Sequence, residues 1–361
     1  NRGFIMKINI GQINKIPVEP SKNKRAVSLL DMSFLTEHLI DKKIEIVTVP
    51  KLVDKKSHQA NVGINLDEDL ILKILSTHYQ NVTITEINTK NDLKRMVTRR
   101  PDLVFSGVKY FNFDSKDLWL NDYLDIHNIA YIASNRKALD NESDKSLAKH
   151  IMQKSGIATA QYFSSEPDEH PNEASLPIAF PFFVKPVSGG DSRGVDTKSI
   201  VNDFPSFLTK IAEIYKTQHS RSLVETYLSG KEYSVGIFES STTGKLTAMP
   251  IEIVVAENKN GHRILDFEIK KNDSELVIAV TDKNIKKQLS NLAKVAFRAL
   301  GGKSFGRIDI MMDHENVPHF MEANLMPGLR EGYFYRACML NLKMSYEQMI
   351  LKITDNALSY S

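Results

Sequence analysis

The sequence predicts an α/β protein in which an N-terminal domain built on a parallel sheet precedes two α+β units, the first of them smaller. Three observations predict it. Strand-like and helix-like segments alternate through the first third of the 361 residues, a polar loop and a glycine-rich stretch interrupt the middle, and a long amphipathic helix precedes a strand pair near the end.

In the first third, MKINIG, KIEIVTV, NVTITEI and PDLVFSG read as strands, while the stretch from Ser33 to Leu39 and DEDLILKILSTHY read as helices. This order calls for a mostly parallel sheet with covering helices, a domain over residues 1–134 that ends near Asn135. From Ser143, SDKSLAKHIMQKSG reads as a short helix: Ser143 or Asp144 caps it, Leu147 and Ile151 lie four apart as its apolar side, and Gly156 stops it. The polar SSEPDEHPNEASLP is a loop. After it come the strand FPFFVKP, the glycine-rich VSGGDSRGV, the helix DFPSFLTKIAEIYKT and the strand SLVET, giving a second unit over 135–223 and a third over 224–361. In the third, EYSVGIF is a strand with Tyr233, Val235 and Ile237 inward. IKKQLSNLAKVAFRALGG places Leu289, Leu292, Val295, Ala296 and Leu300 on one helical face, and SYEQMILKITDNAL closes the fold as a helix.

Composition excludes several classes. The 47 basic and 44 acidic residues give a net charge of +3 spread along the chain, so nothing demands nucleic acid or an anionic membrane. No apolar run approaches the roughly 20 residues of a membrane span. Cys338 is the only cysteine, which rules out an internal disulfide and a cysteine metal cluster and fits a reducing, cytoplasmic setting. His58, His78, His127, His262 and His319 show no metal-ligand spacing. The chain opens on Asn1 and its first apolar run starts at Met6, so residues 1–5 read as a tag or an upstream fragment, with no signal peptide.

The stretch GRIDIMMDHENVPHFMEANLMPG, Gly306 to Gly328, carries the strongest chemistry. Alternation in a strand puts Arg307 and Asp309 on one face with Ile308 and Ile310 in the core, and Glu322 and Asn324 likewise share a face. A hairpin with Glu315 and Asn316 at its tip sets Asp309 opposite Glu322 and Arg307 opposite Asn324, and a slip of one residue would separate the sets. Converging carboxylates and an amide oxygen repel unless a cation lies between them, and hard oxygen ligands suit Mg²⁺ or Mn²⁺. From this stretch alone, a solvated sheet face with an Arg–Asp surface pair fits equally well.

Other residues gain weight together. Lys185 ends an apolar strand ahead of a loop with three glycines whose N–H groups could fold over phosphates, although the order matches neither common phosphate-loop motif. Lys145 lies on the other side of its helix from Leu147 and on pattern alone is a solvated lysine. Glu225 at a strand end and Glu232 after a Ser-Gly turn are acceptors that could receive an adenine amino group and ribose hydroxyls; surface carboxylates beside a turn are the plainer alternative.

In order, these pieces resemble the ATP-grasp superfamily, specifically its D-alanine–D-alanine ligase-like branch, over about residues 137 to 361. The resemblance rests on Lys145 in DKSLAKHIMQKSGI, Lys185 in FPFFVKPVSGGDSRGV, Glu225 and Glu232 in LVETYLSGKEYSV, and GRIDIMMD with FMEANLMPGL. It implies a pre-ATP-grasp domain followed by a two-lobed ATP-grasp fold. It implies ATP as co-substrate, with Lys145 and Lys185 on its phosphates, Gly189, Gly190, Asp191 and Ser192 as the phosphate loop, Glu225 and the Leu228 backbone at adenine, and Glu232 at ribose. Two Mg²⁺ or Mn²⁺ ions would be held by Asp309, Glu322 and Asn324, with Arg307 stabilising an oxyanion, Lys270 in LDFEIKKND at the γ-phosphate, and Met326 and Gly328 beside the substrates.

The resemblance thus implies an ATP-dependent carbon–nitrogen ligase that joins an amino acid or other carboxylate to an amine acceptor through an acyl phosphate, and it implies a homodimer. The alternatives are a ligase for a different amino acid, a dipeptide or a protein tail, and a non-catalytic ATP-binding homologue. Departures fall on the amino-acid side. KNKRAVSLLD has Lys24, Arg25 and Ala26 where the family has a Glu, Lys271 stands at a Tyr position, and Leu325 and Met326 replace the usual residues before Pro327 and Gly328.

Overall fold

The computed structural model describes residues 39–50, 60–188, 194–256, 265, 269, 272 and 274–359. The elements run β1 (Ile40–Thr48), β2 (Ala60–Val62), α1 (Glu68–Leu75), β3 (Tyr79–Glu86), α2 (Lys90–Thr98), β4 (Leu103–Ser106), β5 (Val108–Phe113), β6 (Lys116–Trp119), α3 (Leu120–Ile126) and β7 (Ala130–Tyr131). Next come α4 (Arg136–Ser143), α5 (Lys145–Lys154), β8 (Tyr162–Ser165), β9 (Phe182–Pro186), β10 (Ile200–Val201), α6 (Phe204–Gln218), β11 (Ser222–Thr226) and β12 (Glu232–Glu239). The chain continues with β13 (Leu246–Val254), β14 (Leu276–Ala279), α7 (Lys283–Ala299), β15 (Phe305–Met312), β16 (Pro318–Asn324), α8 (Tyr333–Leu342) and α9 (Tyr346–Leu358).

The first sheet has the order β3-β1-β4-β7 and every pairing in it is parallel, as the alternation of strands and helices requires. Its central strands β1 and β4 are buried on both faces: Ile44 and Ile46 join Leu103 and Phe105 in one core cluster, whereas Val47 and Val104 join another. Tyr79, read in sequence as the end of a helix, opens β3 instead. The helix α1 stops at Ser76, and the Tyr79 ring packs in the core with its hydroxyl donating to Asp355 of α9. The segment MKINIG and residues 33–38 of the expected first helix lie outside the described residues.

Two further sheets follow. A four-stranded sheet, β10-β9-β11-β8, is covered by α6, whose Phe207, Ile211 and Ile214 meet Phe182, Val184 and Val224. A five-stranded antiparallel sheet, β14-β13-β12-β15-β16, packs against α7 and α8. The isolated parallel bridge between Thr159 and Phe320 ties the approach to β8 to β16 and so links these two sheets.

Three expectations about buried faces need correction. On β12 not only Tyr233, Val235 and Ile237 but also Ser234, Gly236 and Phe238 are buried, because it is a central strand with helices on both sides. On α7, Val295 is exposed, and the buried stripe is Leu289, Ala293, Ala296 and Phe297. On α5, Leu147 is exposed and the helix buries Ala148, Lys149 and Met152. The α5 boundaries are as expected: the Asp144 side chain accepts from the N–H groups of Ser146 and Leu147, and Gly156 follows the C-cap with φ of 70°.

Candidate active site

β9 and β11 pair with Lys185 opposite Leu223 and Phe183 opposite Glu225. Residues paired across strands share a face, so Lys185 and Glu225 are diagonal neighbours there. Lys185 Nζ lies 2.8 Å from Glu225 Oε2. The second carboxylate oxygen, Oε1, lies 2.5 Å from Nζ of Lys149, which is fully buried. That ammonium also donates to Thr159 Oγ1 at 2.6 Å, and the Thr159 hydroxyl donates to the Phe320 carbonyl at 3.0 Å. Lys149 is a residue that sequence reasoning missed. The available signal was its position four residues after Lys145, on the same helical side, within the stripe of Ala148 and Met152.

The electrostatics are those of a closed charge cluster. Burial would raise the Glu225 pKa, but the charges of Lys149 and Lys185 overcome it and hold the carboxyl below its ordinary range. Burial would pull Lys185 down, but Glu225 and Glu322 more than offset this and raise it. For Lys149 burial dominates and works against the charge, with Glu225 opposing.

Arg307 stands opposite Asn324 and Asp309 opposite Glu322, as the hairpin reading expects. The route to that register differs. Nearer the turn, Ile310, Met311 and Met312 pair with Phe320, His319 and Pro318, so the turn is odd and Met321 is an extra residue that bulges from β16. Without the bulge Asp309 would face Met321, and Glu322 would lie on the other side of the sheet. The turn is set by Asp313, whose Oδ1 accepts from the N–H groups of Glu315 at 2.9 Å and Val317 at 2.8 Å, with Asn316 left-handed at φ of 62°.

Arg307 forms a two-pronged pair with its strand neighbour: Nε donates to Asp309 Oδ1 and Nη2 to Oδ2, each at 3.0 Å. Ser234 Oγ adds a bond to Oδ1 at 2.6 Å, and the guanidinium lies 5.3 Å from the centre of the Tyr333 ring. Asp309 is buried and Arg307 largely shielded from water, which excludes the solvated-face reading. Burial works against the Arg307 charge, but Asp309 overcomes it and the pKa is raised.

The strand end beyond Asn324 is held by α4 and by β5, the middle strand of a small β2-β5-β6 sheet. Asn324 Oδ1 accepts from the Met326 N–H at 3.2 Å, and the Leu325 N–H donates to the buried carboxylate of Glu142, which also lies 3.3 Å from Lys109 Nζ. Burial raises the Glu142 pKa against the pull of Lys109. Neither Glu142 nor Lys109 was anticipated, because their meeting joins α4 to β5 across a long stretch of chain. Leu325 and Met326 are buried, while among the described residues, chain neighbours aside, no atom lies within 4 Å of where a Gly328 side chain would begin. Close by, a cavity of about 490 Å³ is lined by Thr48, Asn65, Glu68, Val108 and Arg330 among others.

The other expected residues fall around this cluster. Lys145 opens α5, with its N–H 3.4 Å from the Val187 carbonyl just past β9. Leu228 sits in the link between β11 and β12, which is pinned at both ends: the Tyr227 N–H donates to Pro181 and the Gly230 N–H to Met312, each at 3.0 Å. Only glycine fits at 230, since a Cβ there would lie 2.4 Å from the Met312 carbonyl oxygen. Glu232 opens β12, and its charge acts on Lys185 and Tyr333. Gly189, Gly190, Asp191, Ser192, Lys270 and Lys271 lie outside the described residues, as do Lys24, Arg25 and Ala26.

Among the described residues no three His, Cys, Asp or Glu side chains gather to hold a metal. The expected set differs in kind: two carboxylates and an amide oxygen, hard donors that fit Mg²⁺ or Mn²⁺. Asp309 accepts three hydrogen bonds, and a carboxylate has about four acceptor sites, so the donor set still has capacity for a cation.

A mixed α/β chain with these two sheets, joined by a pinned link, has the ATP-grasp fold. Among solved structures it is similar to the D-alanine–D-alanine ligase of Bacillus anthracis complexed with ATP, at a TM-score of 0.64 and 19% identity, covering 88% of this chain and 97% of that one. It is likewise similar to the VanG D-Ala:D-Ser ligase of Enterococcus faecalis, at 0.62 and 18% identity, covering 88% of this chain and 100% of that one. The family model described as D-ala D-ala ligase C-terminus matches residues 151–355, and the chain belongs to that family. It is accordingly D-alanine–D-alanine ligase-like, of the class of ATP-dependent ligases that form carbon–nitrogen bonds. Relatives named D-alanine–D-alanine ligase include one from Lactococcus lactis subsp. cremoris, 25% identical over 66% of this chain and 67% of its own length, and one from Leptospira interrogans, 30% identical over 64% and 66%. No helix among the described residues is long and apolar enough to cross a membrane.

Proposed function

We propose that this chain joins a carboxylate to an amine with ATP, through an acyl phosphate, and that its amino-acid specificity is its own rather than a copy of its relatives'. The observation that carries the reading is Arg307, largely shielded from water on the same face as Asp309 and beside Glu322, because nucleotide binding alone has no use for a guanidinium there.

Lys145 and Lys185 would bind the ATP phosphates, with Gly189, Gly190, Asp191 and Ser192 over them and Lys270 at the γ-phosphate. Glu225 and the Leu228 backbone would receive adenine, and Glu232 the ribose. When bound by Asp309, Glu322 and Asn324, magnesium supplies neutralisation of the phosphate oxygens. A carboxylate is a poor electrophile, so the γ-phosphoryl group passes to its oxygen, ADP leaves, and the acyl phosphate carries a good leaving group. The amine then attacks the carbonyl carbon. Arg307 offsets the charge of the tetrahedral oxyanion, phosphate departs, the ammonium loses its proton, and an amide bond remains. Met326 and Gly328 would border the substrates, near the cavity with Glu68 and Arg330, whose opposite charges suit the ammonium and carboxylate of an amino acid.

In this reading the chain divides into a substrate-side domain over 1–134, an ATP-grasp lobe with the phosphate loop over 135–223 and a lobe with the metal set over 224–361. It works as a cytoplasmic homodimer. The test is a matrix of amino acids and small carboxylates scored by phosphate release, with products identified by mass. Release only when both a carboxylate and an amine are present is expected. Release that ignores the amine, or none with any pair, would count against the reading.

A further inference from the structure

The cluster around Glu225 contains one more cation than a phosphate site needs. Lys185 and Lys149 hold opposite oxygens of the same carboxylate, but their surroundings differ. Lys149 is tied into the protein: Thr159 Oγ1 accepts its second hydrogen bond and is itself anchored to the backbone of β16. Lys185 ends the strand that leads into the glycine-rich segment; its ammonium pairs at contact distance with Glu225, while Glu322 and Glu232 act on it from farther off. A lysine bound tightly to a carboxylate is a poor phosphate ligand, since it must leave one anion to reach another. A carboxylate deserted in a buried site is costly as well. A second, fixed lysine on the same carboxylate removes both obstacles.

We propose that Lys149 is a positioning residue: it is the permanent counter-ion of Glu225, which lets Lys185 exchange from that carboxylate to the nucleotide phosphates. This rests on the nucleotide-binding reading above and deepens it, because Lys149 itself touches neither nucleotide nor metal. In the nucleotide-free protein both lysines share Glu225. On binding, Lys185 moves to phosphate, the Lys149 pair remains, and Glu225 stays ionised with one oxygen released to accept from adenine. The charge balance closes in both states, since the phosphate supplies the anion that Lys185 gives up.

The test is calorimetric binding of AMP-PNP with Mg²⁺ to wild type, K149M, K149R, E225Q and K149M/E225Q. In K149M, Glu225 has only Lys185 left and retains it, so affinity for AMP-PNP falls by about tenfold or more. K149R keeps a fixed cation and stays within about threefold of wild type. E225Q loses the adenine acceptor as well, so its own affinity is the reference for the double variant. Lys149 acts only through Glu225, so K149M/E225Q stays within about threefold of E225Q. A merely structural role for Lys149 would cost about tenfold in both backgrounds, and that result would overturn the proposal. If K149M is too unstable to purify, the pair E225Q and K149M/E225Q decides: affinities within about threefold of each other support the exchange and a further loss of about tenfold overturns it. Wild-type protein that binds no AMP-PNP overturns the nucleotide reading and the exchange with it. Wild-type binding that K149M leaves unchanged overturns the exchange only.

Discussion

Replacing Glu225 by Gln keeps the volume of the side chain and removes the one anion that directly pairs with two buried lysines. Taking one partner from a buried ion pair generally costs about 3–5 kcal/mol. The structure supplies an upper bound, because a stranded lysine can release its proton. For Lys149, with an ordinary pKa of 10.5, neutralisation at pH 7 costs about 3.5 × 1.36, or about 4.8 kcal/mol. The loss is therefore expected at about 3–5 kcal/mol, which for a chain of this size lowers Tm by about 4–7 °C. The sign of the pH dependence follows. In wild type the lowered Glu225 pKa contributes stability that is present above its ordinary value of 4.5 and lost only as pH falls through the lowered value. The raised Lys185 pKa contributes stability that is lost only as pH rises past 10.5 toward the raised value. Glu225 and Lys185 thus add no slope between about pH 7 and 9, while the lowered Lys149 pKa carries a penalty that eases as pH rises from the lowered value toward 10.5. Loss of Glu225 lowers the Lys149 pKa further, so the variant's folded chain gives up that proton at lower pH than wild type, and between the two values the deficit shrinks by up to about 1.4 kcal/mol per pH unit. Chemical denaturation of both proteins at intervals between those limits measures this. A variant as stable as wild type, or a deficit that does not change with pH, would refute the assignment of a shared, ionised Glu225.

Two other predictions concern different parts of the site and core. Glu322→Gln removes a ligand charge at constant volume and is expected to reduce phosphate release by at least about a hundredfold with the far-ultraviolet circular dichroism unchanged; wild-type turnover would remove Glu322 from the proposed metal set. Cys338 is buried in α8 and burial pushes its thiol up to about 12, so at pH 8 roughly one molecule in ten thousand carries the thiolate. A disulfide reagent is expected to label it only as fast as the protein opens, and prompt labelling of the folded chain would contradict its placement.

Much of the site was legible because its chemistry is local in strands. Two-residue spacing alone puts Arg307 beside Asp309, and the structure keeps them on one face with a two-pronged bond. The facing of Asp309 and Glu322 was also foreseen, but for an incomplete reason: an even turn was expected, whereas an odd turn and a bulge at Met321 reach the same register. Turn geometry depends on Asp313 and Asn316, whose side-chain and backbone contacts a pairing count does not see. Lys149 was missed because an amphipathic pattern assigns charged residues to water. Its burial is permitted only by a carboxylate on β11, far along the chain.

By itself the sequence determined the parallel first sheet, the helix caps at Asp144 and Gly156 and the strands that carry Lys185, Glu225, Arg307 and Asp309, because these follow from periodicities and spacings shorter than one element; the class of chemistry came from the family that the ordered motifs resemble. Only the tertiary structure decided which charges meet. Lys149, Lys185 and Glu225 come from a helix and two strands, and Glu142, Lys109 and the Leu325 N–H from another helix, another strand and the bend just past β16. Coulomb and desolvation energies depend on distance in space and on exclusion of water, and neither is written in the order of residues.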